Sequence, residues 1–386
     1  MERIIQRILN WNTSYKSLIQ ITVFKDNLLH NLNEFQQIIG KNDKRIVPVL
    51  KSNAYGHGLV NTARILDPLH LPFFCVDSFF EALSLRKENI QSPILIIGYV
   101  YSETVIQNNL KNISFVVTNL DYLKEISTLT LKFNKKTKIH LKIDTGMHRQ
   151  GIQKEEINES IKIISENSNL ELEGICTHLA DADGDTKTYT LEQIKEWNSA
   201  VSIFKNKFPS IKYVHGSASA GSLFVDQMEG NVFRLGIGLY GLGTGEELKK
   251  KVNLKPALEF RTIISGVKKI KKGEKVGYNG TFEAPKDMTI ATIPAGYNEG
   301  IDRRLSNKGF VKINSGKFAP IIGRVSMNIT TIDITDLPEV RAKDSVVVIS
   351  SHKTDKNSVE EIARVCGTIP YEILIHVPGY LRRIVI

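Results

Sequence analysis

The sequence predicts an α/β chain: a (β/α)8 TIM-type barrel followed by a C-terminal all-β domain. Three observations carry that expectation. Apolar, β-branched runs recur eight times in roughly the first 240 residues, and stretches with helical spacing separate most of them. After about residue 250 the texture changes to short alternating runs broken by Gly, Asn, Asp and Lys turns.

The runs are "RIVPVL" (45–50), "PFFCVD" (72–77), "PILIIG" (93–98), "ISFVVT" (113–118), "KIHLKID" (138–144), "LEGICTH" (172–178), "IKYVHG" (211–216) and "VFRLGIGLYG" (232–241). An amphipathic "DNLLHNLNEFQQII" (26–39) precedes them, and "VNTARILDPL", "FFEALSLRKEN" and "LEQIKEWNSAVSIFKNKF" supply intervening helices. Apolar strands alternating with helices form a parallel sheet covered on both faces. Periodicity alone leaves a doubly wound open sheet as the alternative. Residue positions favour the barrel: Lys51, Asp144, His178 and Ser219 fall at or just past the C-terminal ends of strands, where such barrels build their sites. The second texture comprises "LEFRTIISGVKKI", "MTIATIPAGY", "GFVKINSG" and "DSVVVIS". The expected division is an extension over 1–17, a cofactor-binding barrel over 18–252 and a β domain over 253–386.

With 386 residues, 41% hydrophobic and 24% charged, the composition is that of a soluble globular protein. The net charge of +10 is spread along the chain among interleaved acids. Its densest basic run, "KKIKKGEK" (268–275), reads as a solvated hairpin turn, so no nucleic-acid partner is expected. Three widely spaced cysteines and no CxxC fit a reducing compartment and offer no metal site. No run has the length of a membrane span or the form of a signal peptide, so a cytoplasmic location without a membrane partner is expected.

Lys51, in "LKSNAYGHG" (50–58), ends the first apolar run. It reads either as a solvated loop lysine or as a Schiff-base lysine whose amine is made nucleophilic by desolvation. Tyr55 either packs as an amphipathic ring or hydrogen-bonds a phosphate. "GIGLYG" (236–241) matches a dinucleotide fingerprint but stands at the eighth strand with no crossover helix after it, so a nicotinamide site is not expected. Its glycines still permit close backbone approach to a phosphate.

Seven blocks now combine in one order: "VLKSNAYGHGL", "LKIDTGMHRQGI" (141–152), "GICTHLADAD" (174–183), "FRLGIGLYG" (233–241), "IPAGYNEGIDRRLSN" (293–307), "IGRVSMN" (322–328) and "GTIPYE" (367–372). Together they resemble the alanine racemase family over roughly residues 18 to 385, a family with a barrel followed by a β domain. The resemblance implies pyridoxal 5'-phosphate held covalently by Lys51, a small-molecule amino acid substrate, and two bases, Lys51 and Tyr297, on opposite faces of the substrate carbon. It implies that Tyr297 comes from a second subunit, making the enzyme a homodimer with shared sites. His178 would tune Tyr297. Arg234, which has no acceptor, would face the pyridine nitrogen and keep it unprotonated. Tyr55, Ser219, Tyr371 and the backbone of Gly236 and Ile237 would hold the phosphate. Arg149 and Met327 would meet the substrate. Lys142 would stand at the position often carbamylated in the family, although the residues alone equally allow it to pair with Asp144 on the same strand face. The product D-alanine would feed peptidoglycan in a bacterial cytoplasm.

The chain departs from the family pattern at Asp77, His148, Ala218, Asn298, Ser326 and Asn328. None is Lys51, Tyr297, Arg149 or Arg234, so the departures bear on pocket lining and substrate range. Two other readings stand beside the first. One is a racemase of another amino acid, such as serine, or of several. The other is a non-catalytic pyridoxal-phosphate-binding protein, which would need the barrel but not residues 255–386. His57 has no role beyond that of a loop histidine.

Overall fold

The computed structural model of the chain describes residues 16–40, 44–243, 245–313 and 316–386. The extension expected over 1–17 lies outside the described residues except at its last two positions. The strands are β1 (Gln20–Val23), β2 (Arg45–Pro48), β3 (Phe74–Val76), β4 (Ile94–Ile96), β5 (Ile113–Val117), β6 (Thr137–Lys142), β7 (Leu170–Cys176), β8 (Tyr213–His215) and β9 (Val232–Leu235). They continue as β10 (Leu258–Ile263), β11 (Gly266–Ile270), β12 (Lys275–Val276), β13 (Phe282–Glu283), β14 (Met288–Ile293), β15 (Phe310–Ile313), β16 (Phe318–Pro320), β17 (Thr330–Asp333), β18 (Ser345–Ile349) and β19 (Arg383–Val385).

β2 to β9 are the eight expected barrel strands. β3 to β8 form one parallel sheet in sequence order, and β2 pairs in parallel with β9. Two seams close the ring. Val49 bridges Cys75 on one side, with the Leu50 N–H on the Cys75 carbonyl at 2.7 Å. On the other side the Asn231 N–H reaches the Val214 carbonyl at 3.0 Å. Ile46, Val47, Phe74, Val76, Ile96, Val117, Ile139, Leu141, Ile175 and Leu235 are buried, as strands covered on both faces require.

The second unit is mostly strand, as expected, but not wholly. Helices Val359–Cys366 and Pro370–Ile375 interrupt it, each with an N-terminal signal: Ser358 caps the first and Pro370 opens the second. Its main sheet has the order β16-β15-β18-β10-β1-β19. β1, which precedes the barrel in sequence, is therefore a strand of the other unit's sheet. It is antiparallel to β10 and parallel to β19. "KKIKKGEK" spans the end of β11, an exposed turn and the start of β12; β11 itself pairs with β14, so the run is not one hairpin. No helix among the described residues is long and apolar enough to cross a membrane.

Candidate active site

Lys51 follows β2 and opens a short turn of unusual hand. Ser52, Asn53, Ala54 and Tyr55 all have positive φ (57°, 55°, 52° and 51°). For L-residues this costs about 1–2 kcal/mol each, because Cβ crowds the next carbonyl, so a run of four persists only where its surroundings hold it. The turn leaves the Tyr55 ring buried against Tyr240, with centroids 4.9 Å apart.

Lys51 and Tyr55 line a cavity of about 720 Å³ at the C-terminal ends of the barrel strands. Lys142, Arg149, His178, Ser219, Arg234, Gly236, Ile237 and Tyr371 line it too. Tyr55 is buried, and burial pushes its phenol well above the usual tyrosine value, so its Oη is a proton-bearing donor. Gly236 makes a cradle: a Cβ there would stand 3.1 Å from Tyr55 Oη and 3.8 Å from Ser219 Oγ. The Ser219 hydroxyl in turn accepts the Gly238 N–H at 3.1 Å.

Arg234 is 7% exposed, and its hydrogen bonds go to two imidazoles and three backbone carbonyls. Its Nη1 donates to His215 Nδ1 at 2.7 Å and to the His215 carbonyl at 2.8 Å. Its Nη2 donates to the Thr177 and Gly216 carbonyls and to His178 Nδ1 at 3.2 Å. A guanidinium only donates, so both histidines accept at Nδ1 and carry their proton on Nε2. His215 Nε2–H then donates to His140 Nδ1 at 2.7 Å, and His140 Nε2–H points to Glu173 Oε2 at 3.4 Å. Burial first, then the Arg234 charge, holds two of these imidazoles neutral: His178 falls to about 3 and His215 goes well below the usual value, while burial lowers His140 against the opposing pull of Glu173. Burial alone would raise the Glu173 carboxyl; hydrogen bonds from His140, Ser114 and Lys138 bring it down to about 2. The relay thus runs from the cavity through the barrel core to an anion at its far side. The sequence reading missed His140, His215 and Glu173. A signal existed: His140 shares a strand face with Lys142, two residues on.

Lys142 is half-buried, and burial ahead of the Arg234 and Arg149 charges lowers its amine. Its Nζ donates to Gln150 Oε1 at 3.3 Å. Asp144 instead accepts the Gly146 and His148 N–H groups at 3.0 and 3.1 Å.

Tyr297 and Met327 are not brought to this cavity. They are 44% and 55% exposed on the mostly-strand unit and are not among its described lining residues. Their backbones are tied together, Tyr297 N–H to the Ser326 carbonyl at 3.0 Å and Asn298 N–H to the Met327 carbonyl at 2.9 Å. The Glu299 carboxylate holds the Gly296 N–H, Asn298 Nδ2 and Asn328 Nδ2 at 2.8, 2.9 and 2.6 Å. Two of the departures from the family pattern, Asn298 and Asn328, thereby acquire partners. Asp77 and Ala218 line the cavity.

Two other places have less to offer. A cleft of about 820 Å³ holds Glu259, but that carboxylate is already paired with Arg261. Asp302, Glu372 and His376 lie together, with the Arg304 guanidinium on both carboxylates at 2.6 and 2.8 Å.

The residues at the barrel mouth fit pyridoxal phosphate. An amine can condense with its aldehyde, the Tyr55–Gly236–Ser219 cradle is open to its phosphate, and the buried guanidinium matches an unprotonated ring nitrogen. Comparison with known proteins points the same way. Residues 23–244 match the alanine racemase N-terminal domain, and residues 257–385 match the alanine racemase C-terminal domain. The chain is 35% identical over 366 residues to alanine racemase 1 of Caldanaerobacter subterraneus, covering 95% of this chain and 94% of that protein. It superposes on the Bacillus anthracis alanine racemase with bound L-Ala-P at a TM-score of 0.88, with 31% identity and 97% and 96% of the two chains covered. The Bartonella henselae alanine racemase, described with covalently bound pyridoxal phosphate, gives a TM-score of 0.84 at 27% identity, covering 96% of this chain and 100% of that one.

Proposed function

The chain belongs to the alanine racemase family, and on that footing we propose that it interconverts L- and D-alanine with Lys51 and Tyr297 as bases on opposite faces of the substrate carbon. Pyridoxal phosphate, when bound, supplies the electron sink that acidifies the α C–H. The remaining work falls to this chain's side chains. Lys51 Nζ takes the proton from one face of the α-carbon while a tyrosine Oη returns one to the other; reversed roles carry the opposite direction. Arg149 binds the substrate carboxylate. Tyr55, Ser219, Tyr371 and the backbone at Gly236 and Ile237 hold the phosphate.

Exposure of Tyr297 and Met327 away from their own chain's cavity supports a homodimer in which each copy lends them to the other's site. The tautomer of His178 supports its tuning role. Its Nδ1 is engaged by Arg234, so its Nε2–H is left as a donor, suited to stabilise the incoming Tyr297 oxygen when that oxygen is deprotonated. A lowered amine at Lys142 favours the uncharged form that combines with carbon dioxide, which supports a carbamylated Lys142 steadying Arg149. We place the enzyme in the cytoplasm, with D-alanine going to peptidoglycan.

The observation that carries the reading is the convergence of Lys51, the phosphate cradle and Arg234 on one cavity. Asp77 and Ala218 in its lining keep a wider amino acid range as the second reading. A racemisation assay of the purified protein over a panel of L- and D-amino acids tests both. Alanine turning over fastest supports the first; serine or another amino acid ahead of it overturns it.

A further inference from the structure

The turn after Lys51 is held left-handed by groups from distant parts of the chain. Its own bonds are Ala54 N–H to the Leu50 carbonyl (2.8 Å), Gly56 N–H to Ser52 (3.2 Å) and Gly58 N–H to Asn53 (2.9 Å). The Glu81 carboxylate takes the Asn53 N–H at 3.1 Å and the Asp77 N–H at 2.8 Å. Inside the turn, buried His57 has Nδ1 2.9 Å from the Tyr55 carbonyl and its ring 4.5 Å from that of Tyr240.

The longest reach comes from Arg383, in β19. Its Nε donates to the Gly56 carbonyl at 2.8 Å. Its Nη1 donates to the Pro378 and Leu381 carbonyls at 2.9 and 2.7 Å, and its Nη2 to the Val377 carbonyl at 3.1 Å. No carboxylate among the described residues pairs with it in a salt bridge, and burial alone lowers it to about 10. Desolvating a guanidinium with neutral carbonyls as its partners is costly, so its presence here calls for a use. The fit is close on both sides. A Cβ at Gly58 would stand 2.9 Å from Arg383 Cδ, and a Cβ at Gly56 would stand 2.2 Å from the Leu374 carbonyl of the helix that carries Tyr371.

We propose that Arg383 is a positioning residue for Lys51: by holding the Gly56 carbonyl it locks the left-handed turn, and so fixes where the Lys51 amine stands in the cavity. A plainer role would be to tie together only its own loop, residues 377–381, and the two roles are separable. The proposal rests on Lys51 being the cofactor lysine.

The experiment compares holoenzyme with Arg383→Gln and with Ile384→Ala, which loosens the pairing of β19 with Thr22 of β1 but leaves the guanidinium in place. Hydrogen exchange is read at the amides of 54, 56 and 58, together with kcat, KM and the visible spectrum of bound cofactor. Arg383→Gln is expected to speed exchange at those three amides at least about tenfold. It is expected to lower kcat by roughly a hundredfold with a much smaller change in KM, as a displaced reacting group does, and to shift the cofactor band. Ile384→Ala should do none of these. Unchanged exchange and kcat in folded Arg383→Gln, or equal effects in Ile384→Ala, overturn the proposal. Should Arg383→Gln not fold, Arg383→Lys carries the same comparison, since a single ammonium cannot replace the fork. Borohydride trapping of the wild type separates this from the parent reading. A label away from Lys51 defeats the cofactor assignment, while a label on Lys51 with an indifferent Arg383 defeats only the positioning role.

Discussion

Arg234 Nη1 stands 2.7 Å from His215 Nδ1, and that contact fixes the proton on every imidazole behind it. A cation that can only donate is thereby connected, through two neutral rings, to a carboxylate on the other side of the barrel. Replacing His215 by Ala leaves the guanidinium short of the nearer of its two side-chain acceptors in a buried place. The expected cost is about 1–3 kcal/mol of stability, with a shifted visible band of bound cofactor. His215→Gln, which can offer an amide oxygen, should recover part of both. Chemical denaturation and absorbance of the holoenzyme check this; equal stability and spectra for all three proteins would sink it.

Gly236→Ala should weaken cofactor binding while leaving the fold intact. The added methyl would meet Tyr55 Oη at 3.1 Å, tight but not prohibitive, and would occupy the side of the cradle proposed for phosphate. The backbone of Gly236 lies at φ −93°, so alanine brings no left-handed strain. We expect at least about a tenfold rise in the dissociation constant for pyridoxal phosphate, a loss of ~1.4 kcal/mol. Titration of the apoenzyme measures it, and undiminished affinity would remove Gly236 from the phosphate site.

Tyr297→Phe should separate the two directions of the reaction. With one base lost, racemisation falls by roughly 10²–10⁴-fold, yet Lys51 can still exchange the α-proton of the enantiomer that faces it. Deuterium should wash into one enantiomer of alanine and not the other. Equal incorporation into both would contradict the division of faces.

Stability should rise with pH between about 4 and about 6.5. His57, fully buried, is held neutral down to about 4, by burial first, against an ordinary value of 6.5. The unfolded chain takes up a proton there as pH falls through 6.5 and the folded chain does not, so stability is lost on acidification. The slope from one such group is at most about 1.4 kcal/mol per pH unit. His178 adds to it in the same direction, with its folded value near 3. Glu173 acts lower down, between the ordinary 4.5 and about 2. Urea unfolding of His57→Gln should show a flatter slope than wild type in this window, and parallel slopes would count against a neutral His57.

Much of this architecture could be read in the sequence because it rests on local patterns. Eight apolar runs became eight strands, and Lys51, His178 and Ser219 line one cavity because each lies just past the C-terminal end of its strand. What escaped depended on long-range partners. β1 is four residues, QITV, with nothing in its composition to say that it joins β10 rather than the barrel. The significance of His140 and His215 lies in a contact between residues far apart in sequence. Arg383 binds only backbone carbonyls, which carry no side-chain signature. The hand of the Lys51 turn was invisible because Ser, Asn, Ala and Tyr do not ordinarily call for it.

The sheet order has a consequence for biosynthesis. β1 is made early, yet it waits for β10 and then for β19 before both of its edges are covered. Within the barrel, β3 to β8 each pair with the next strand made, and β2 waits only for β9, which is complete well before β10 and β19. On the ribosome, then, a barrel can form around Lys51 well before residue 383 emerges to grip the turn beneath it. On the role proposed for Arg383, the Lys51 amine would reach its working place only once β19 is made, late in the life of the nascent chain.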